Sequence, residues 1–394
     1  MTKIFILAGE ASGDLLGART MAALKRLRPD IEFLGIGGEQ MAREGIISLF
    51  PMHDLALLGL AEILPNIPNL RRRLRQTLAT IHAESPDILL TIDIPGFALR
   101  VLRALGPGKT KRVHYVAPQV WAWRESRVKK YPGLWEELLC LLPFEPDFFA
   151  PHGLHPVFTG HPVLESGADQ GDEARFRATH NLPANAVPVI FMLGSRRGEI
   201  SRLAPVFRDT LSLLKPQIPN LVPVLPVAQG VDDTVRAATQ DWPVRPLLVH
   251  GAGARYDAFA AAHAALTKSG TSTLELAMAG VPMALTYRVN PLSAWLFRRM
   301  AKVKYVGIVN ILAGRALVPE LLQQDCTPPK LAATLLTLLG NDSTRAAQRQ
   351  GYREVLASLR APEGTPSEAA AKAILALLAP PERRAPSRQL HNSQ

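Results

Sequence analysis

The sequence predicts an α/β protein built from two doubly wound halves, each a parallel sheet wrapped by helices. Three observations predict it. Short apolar runs alternate with helix-like segments along most of the chain, the pattern of parallel strands joined by crossover helices. The alternation breaks once, around 165–185, where ESGADQGDEARFRATHNLPANA is polar and acidic, and then restarts. A chain of 394 residues is also long for a single core.

The elements follow in order. KIFILAG (3–9) is an apolar run that leads through a Gly-rich loop into the helix-like LLGARTMAALKRL. IEFLGIGG (31–38) repeats the form, PDILLTIDIPG (86–96) is closed by Pro and Gly, and RVHYVAP (112–118) follows. In the second half the runs are VPVIFMLGSRRGEI (187–200), NLVPVLPVA (220–228), PLLVHGAG (246–253), HAALTKSG (263–270) and VPMALTYR (281–288). SEAAAKAILALLA (367–379) has a helix pattern, and the tail PPERRAPSRQLHNSQ reads as disordered. The expected divisions are 1–165 and 166–360 for the two halves, 361–380 for a C-terminal helix and 381–394 for the tail. Ligands of doubly wound sheets bind outside the carboxyl ends of the strands, so the loops just after strands are the candidate sites.

Composition bounds the function. Lys and Arg number 45 against 34 Asp and Glu, a formal net charge of +11. That balance suits an anionic partner: nucleic acid, an anionic membrane surface or a phosphorylated substrate. With 47% hydrophobic and 20% charged residues the chain is of ordinary globular type, not a disordered one. Cys140 and Cys326 form no CxxC pair, so no disulfide framework or zinc ribbon is expected and a reducing cytosol fits. The opening MTKIFILAGEASGD lacks the apolar core of a secretory signal. No run reaches about 18 apolar residues, so no membrane-spanning helix is expected. Metal-ligand spacings are absent, and His155 and His161 read as structural.

Six stretches could carry chemistry or binding. In KSGTSTLELAMA, a loop opens a helix, a natural anion site. Gly270 lets a phosphate approach the backbone, and Ser269, Thr271 and Ser272 offer hydroxyls. Ser272 and Glu275 also have the S-x-x-E spacing of a capping box, so Glu275 either caps the helix or accepts the two hydrogen bonds of a ribose diol. In FMLGSRRGEI, Gly194 and Ser195 turn the chain and Arg196 and Arg197 precede a helix, as phosphate forks or as a solvated basic turn. Two such loops in one half point to a diphosphate ligand. In TIDIPGF, Asp93 ends a strand, as a general base or as the N-cap of the following helix. The loop GEASGD brings Glu10, Ser12, Gly13 and Asp14 to the same rim, where the polar side chains can also cap the helix beginning near Leu15.

HYVAPQVWAWRESRVKKY places Trp121 and Trp123, expected to face one way, beside Arg124 and further basic residues. Aromatic faces suit sugar rings or acyl chains, and core packing is the alternative. The stretch 52–81 is rich in Leu and Ile, is broken by Pro65 and Pro68, and carries Arg71, Arg72, Arg73 and Arg75. It reads either as a surface lying in lipid headgroups or as a buried helix pair with a basic end.

AGEASGD, HYVAPQVWAWR, LPFEPDFF, FTGHPV, LGSRRGEI, KSGTSTLELAMAGVPMALTYR and VNILAGRALVPELLQ occur in this order. With these motifs the chain resembles the lipid-A-disaccharide synthases over nearly everything except the tail. The resemblance implies a GT-B fold, two Rossmann-like domains facing across a cleft that holds the active site. It implies an inverting glycosyltransferase of lipopolysaccharide synthesis, joining UDP-2,3-diacylglucosamine to 2,3-diacylglucosamine 1-phosphate through a β-1,6 bond and releasing UDP. Neither metal nor cofactor is implied. The implied setting is the inner face of the bacterial inner membrane, with both glycolipids and an anionic membrane surface as partners and a homodimer as a further option.

The family pattern places the arginine after Gly-Ser on Arg196 and the strand-end aspartate on Asp93, here the candidate base for the acceptor 6-hydroxyl. Ser269, Gly270 and Thr271 would hold phosphate, Arg196 would neutralise it and Glu275 would take the ribose. Asn310 and Arg315 match a further segment near the cleft, and Asn310 is expected among the residues that bind the UDP-sugar. Two departures stand out: Leu193 replaces the proline of LPGSR, and Gly96 stands where an acidic residue is usual. Rival readings are a UDP-N-acetylglucosamine 2-epimerase or MurG-like transferase on the same fold, and a non-catalytic binder of anionic lipid. Nucleic acid is not expected, since no binding signature for it is present.

Overall fold

The computed structural model describes residues 1–55, 60–289 and 303–379, with the side chains of 60–65 outside the description. Its strands form two six-stranded sheets. In the first, β1 (Thr2–Leu7), β2 (Ile31–Ile36), β3 (Ile88–Ile92), β4 (Lys111–Tyr115), β5 (Glu137–Cys140) and β6 (Pro156–Phe158) lie in the order β2-β1-β3-β4-β5-β6. In the second, β7 (Val187–Phe191), β8 (Leu221–Pro226), β9 (Leu247–Val249), β10 (Ala264–Thr267), β11 (Met283–Tyr287) and β12 (Glu320–Leu322) lie in the order β12-β11-β10-β7-β8-β9. All neighbours pair parallel. Strand β3 is buried at every position, as a parallel strand covered on both faces requires. The strand order reverses between β1 and β3 in the first sheet and between β7 and β10 in the second. Doubly wound sheets bind ligands at these points.

The chain divides into two compact units, Met1–Pro162 with the segment from Leu359 on, and Val163–Ser358. The first contains α1 (Ala11–Leu27), α2 (Glu39–Arg43), α3 (Leu60–Glu84), α4 (Pro95–Leu105), α5 (Val120–Trp123) and α6 (Glu145–Phe149). The second contains α7 (Glu173–Thr179), α8 (Arg197–Leu214), α9 (Asp232–Thr239), α10 (Ala252–Ala261), α11 (Thr271–Met278), α12 (Ile308–Ala313), α13 (Pro328–Gly340) and α14 (Asp342–Ser358). Helix α15 (Pro366–Ala376) returns to the first unit. It starts at a reciprocal cap between Thr365 and Glu368. Its buried Ala370, Ala371 and Ile374 share one core with Leu16, Met21 and Leu24 of α1 and Ile4 and Ile6 of β1.

The structure departs from the sequence reading in several places. Helix α1 begins at Ala11, so most of the GEASGD stretch is its first turn rather than a loop. Helix α3 runs through Pro65 and Pro68 without ending. Proline's fixed φ fits a helix, and α3 continues past both residues despite the two lost donors and the crowding of each ring against the carbonyl four positions earlier. Strands β5, β6 and β12 are too short to show alternation in sequence, and their neighbours in the sheet define them. Residues 56–59 of the apolar stretch and the tail 381–394 lie outside the described residues. Among the described residues no helix is long and apolar enough to cross a membrane.

Candidate active site

Strands β7 and β10 are neighbours, with Leu266 opposite Phe191 and the Met192 amide bonded to the Leu266 carbonyl at 2.9 Å. Their loops therefore leave the second sheet side by side. Leu193, at the position of the expected proline, is buried in the core, so burial anchors this loop where a ring would otherwise stiffen it. Gly194 has φ +104°, and a Cβ there would lie 2.2 Å from Glu199 Oε2. Only glycine meets both demands. Glu199, in the first turn of α8, accepts from the Ser195 amide at 3.0 Å and from Lys268 Nζ at 3.0 and 2.8 Å. This carboxylate ties the two loops together. Arg196 occupies the N-cap position of α8 without a capping bond. Arg196 and Arg197 are exposed and make no side-chain hydrogen bond among the described residues. Planar cations at the positive end of a long helix suit phosphate oxygens.

Gly270 is the N-cap of α11, with φ +145° and open space where a Cβ would stand. The Ser269 hydroxyl donates to the Val306 carbonyl at 2.8 Å and so holds the loop in place. Thr271 is exposed and Ser272 half-buried in the first turn. The capping box between Ser272 and Glu275 does not form. The helix already begins at Thr271, which puts Ser272 inside it. Glu275 Oε1 instead accepts from Arg255 Nη2 and the Tyr256 hydroxyl, each at 3.0 Å.

Asn310 stands differently from its expected ligand role. It is fully buried, its Nδ2 donates to the Val318 carbonyl and to Glu320 Oε1, and its Oδ1 accepts from the Val318 amide, all at 2.9 Å. With its polar atoms satisfied inside the fold, it has none to offer a ligand. Glu320 in turn accepts from the Val306 and Gly307 amides. Asn310 thus supports, through Glu320 and Val306, the segment on which Ser269 leans. Arg315 is paired with Glu354 at 2.7 Å on the surface of the same unit.

In the first unit Asp93 lies at the end of β3, beside the order reversal. It does not cap α4, whose N-cap is Ile94 without a side-chain bond. Asp93 (φ +53°), Ile94 (φ +41°) and Val116 (φ +76°) are all left-handed. Such conformations cost non-glycine residues about 1–3 kcal/mol each and gather at functional sites. Asp93 and Val116 line a depression of about 720 Å³ together with Trp123, Arg124 and other residues of the first unit. Burial raises the Asp93 carboxyl above the usual aspartate range, against the smaller opposite pull of the Ile94 amide.

The other rim candidates separate. Glu10 sits at the N-cap position of α1 without a capping bond, Ser12 is exposed, and Gly13 is buried. Asp14 leaves the set. It is buried and accepts from the Gly38, Gln40 and Met41 amides at 2.8, 2.9 and 3.0 Å, so it holds the start of α2. The two tryptophans do not face one way, because they lie two apart on a helical turn, not on a strand. Trp121 is 9% exposed and its Nε1 donates to Glu145 at 3.1 Å, whereas Trp123 is 37% exposed under the Arg124 guanidinium at 4.1 Å. On α3, Arg71, Arg72 and Arg75 are exposed. Arg73 is not available to a membrane: it pairs with Asp54 at 2.6 Å and lies over the Phe50 ring. Sequence reasoning missed Glu199 and Glu320, although they stand inside the stretches LGSRRGEI and VNILAGRALVPELLQ, and it missed Arg255 and Tyr256, which lie in no motif. Among the described residues no three His, Cys, Asp or Glu side chains gather as a metal site.

The fold defines a class: two parallel doubly wound domains of the GT-B type, shared by nucleotide-sugar glycosyltransferases and epimerases. Solved structures with this fold include a UDP-GlcNAc 2-epimerase from Neisseria meningitidis bound to UDP-GlcNAc, 14% identical, covering 96% of this chain and 99% of that one at a TM-score of 0.62. The calicheamicin glycosyltransferase is 16% identical, covering 98% and 100% at a TM-score of 0.58. These likenesses concern the fold alone. A family model described as lipid-A-disaccharide synthetase matches residues 4–374. The lipid-A-disaccharide synthase of Granulibacter bethesdensis is 56% identical over 386 residues, 95% of this chain and 98% of that protein. That of Pseudomonas aeruginosa is 40% identical over 383 residues, 97% of this chain and 99% of the relative. The chain belongs to the lipid-A-disaccharide synthase family.

Proposed function

We propose that the protein joins UDP-2,3-diacylglucosamine to 2,3-diacylglucosamine 1-phosphate, forming the β-1,6-linked disaccharide 1-phosphate and UDP. The observation that carries this reading is the 56% identity with a lipid-A-disaccharide synthase across 98% of that protein. The geometry supports a role for each group. Asp93 takes the proton of the acceptor 6-hydroxyl as its oxygen bonds to C1 of the donor sugar. The bond from C1 to the β-phosphate oxygen breaks, and its electron pair leaves with UDP. A single in-line displacement inverts C1 and needs one base. Charge developing on the diphosphate falls to Arg196, the Ser195 hydroxyl, the amides and hydroxyls of Thr271 and Ser272, and the start of α11, with Gly194 and Gly270 allowing close approach. Glu275, oriented by Arg255 and Tyr256, offers Oε2 to the ribose diol.

Both substrates are lipid-linked, and a peripheral place on the cytoplasmic face of the inner membrane belongs to the same proposal. Arg71, Arg72 and Arg75 supply exposed cations for anionic headgroups, each contributing about 1 kcal/mol near such a surface. The test is a transfer assay with the two substrates in EDTA. Disaccharide phosphate and UDP are the expected products. UDP binding without product would send the search to other UDP-sugars and acceptors. Asp93→Asn should abolish transfer and leave UDP affinity near wild type, and normal turnover by that variant would remove Asp93 as the base.

A further inference from the structure

The depression that holds Asp93 has a wall that this mechanism does not use. Arg100 and Arg103 of α4, together with Arg124, Arg127 and Lys130, line it, and Asp93 is the one carboxylate among its lining residues. None of the five cations makes an ion pair or a side-chain hydrogen bond among the described residues. Arg100 and Arg103 are three apart on a helix, and Arg127 and Lys130 three apart on the short turn that follows α5. Like charges at that spacing repel, so the arrangement is unfavourable until an anion enters. The Arg124 guanidinium is steadied over the Trp123 ring at 4.1 Å. Burial raises the Tyr131 hydroxyl, while the charges of Arg127 and Arg103, from different elements, both pull it down. The volume of about 720 Å³ falls in the range of small-molecule sites, about 300–1,000 Å³.

We propose that Arg100, Arg103, Arg124, Arg127 and Lys130 form the subsite for the phosphomonoester of the acceptor, and that this wall selects a phosphorylated sugar over its neutral counterpart. The inference rests on the acceptor reading given above. A phosphomonoester carries between one and two negative charges near neutral pH and three acceptor oxygens, and arginine forks match that geometry. A neutral hydroxyl at the same carbon would leave the cations unmatched. With the phosphate held on this wall, the sugar is oriented within the same depression as Asp93.

The test is the ratio of kcat/KM for diacylglucosamine 1-phosphate to that for diacylglucosamine without phosphate, measured in neutral detergent micelles. The double variant R100S/R103S should lower this ratio roughly tenfold or more, mainly through KM for the phosphorylated acceptor, while KM for the UDP-sugar holds. R100K/R103K, which keeps the charge, should recover much of the ratio. The ionic-strength dependence of that KM should flatten in the serine variant. An unchanged ratio, or equal slowing with both acceptors, overturns the proposal. If the serine variant instead loses only its binding to anionic vesicles, with the micellar ratio intact, the wall serves lipid headgroups and the proposal also fails. Wild-type protein that forms product with neither acceptor overturns the functional reading itself, and this subsite with it.

Discussion

Glu199 joins the two loops assigned to the diphosphate, and removing its carboxylate tests that assignment. The side chain is 13% exposed and its partner Lys268 22%. Exposed ion pairs contribute about 0–1 kcal/mol, whereas hydrogen bonds to charged groups contribute about 1.5–3 kcal/mol. Glu199 is mostly buried and accepts from one amide and one ammonium. Glu199→Ala should therefore lower the free energy of unfolding by about 2–3 kcal/mol. Glu199→Gln keeps an oxygen for the Ser195 amide but not the charge for Lys268, and should cost about half as much. With the loops no longer joined, UDP should bind roughly tenfold more weakly, about 1.4 kcal/mol. Urea unfolding of the full chain gives the first quantity and titration calorimetry with UDP the second. Tighter UDP binding by Glu199→Gln would refute the reasoning. It would mean that freeing Lys268 outweighs loop order, and that Glu199 restrains a phosphate ligand instead of building the site.

Four further outcomes follow from the same structure. Asn310→Ala removes three hydrogen bonds inside the second unit and should destabilise the protein by about 1–3 kcal/mol, weakening UDP binding only through the loop that Ser269 leans on; thermal unfolding and UDP titration check it. The acid limb of kcat/KM should lie above the ordinary aspartate range, because burial raises Asp93, and activity should fall as pH drops through that value; a limb near 3.8 would separate the base from this residue. Burial raises Glu145 from 4.5 to about 7, so the stability it contributes is full below 4.5 and lost as pH rises through 7, up to about 3 kcal/mol. Because His114 and His161, lowered by burial from 6.5 to about 4, act in the opposite sense, the measure is the difference between wild type and Glu145→Gln in urea at pH 5 and pH 8. A difference that does not change with pH would remove Glu145 as a titrating buried acid. Arg71→Ser with Arg72→Ser and Arg75→Ser should weaken binding to anionic vesicles by up to about 1 kcal/mol per residue, and binding equal to wild type would leave α3 without a membrane role.

Much of this protein was legible in the sequence because the relevant physics is local. Buried parallel strands must be continuously apolar, so KIFIL, ILLTI and VPVIF announce themselves, and small polar residues after a strand mark a helix entry. Loop chemistry at Gly194 and Gly270 could be read from residue type, since only glycine tolerates those backbone angles at little cost. What a polar side chain bonds to is not local. Asp14 and Asn310 sit in motif-rich stretches and look like ligand residues, yet each satisfies backbone groups brought to it by another segment. Trp121 and Trp123 alternate as they would on a strand, but a single helical turn sends one inward and leaves the other at the surface. Arg100 and Arg103 look like the solvated face of α4 until the turn after α5 brings more cations against the same depression. The pairing of the Gly194 and Gly270 loops is likewise a product of strand order. They become neighbours because β10 inserts beside β7, and Glu199 and Lys268 then meet across the gap. Residue pattern sets which segments become strands and helices. Which strand ends share an edge, and so which charges face one another, depends on long-range pairing that no local pattern records.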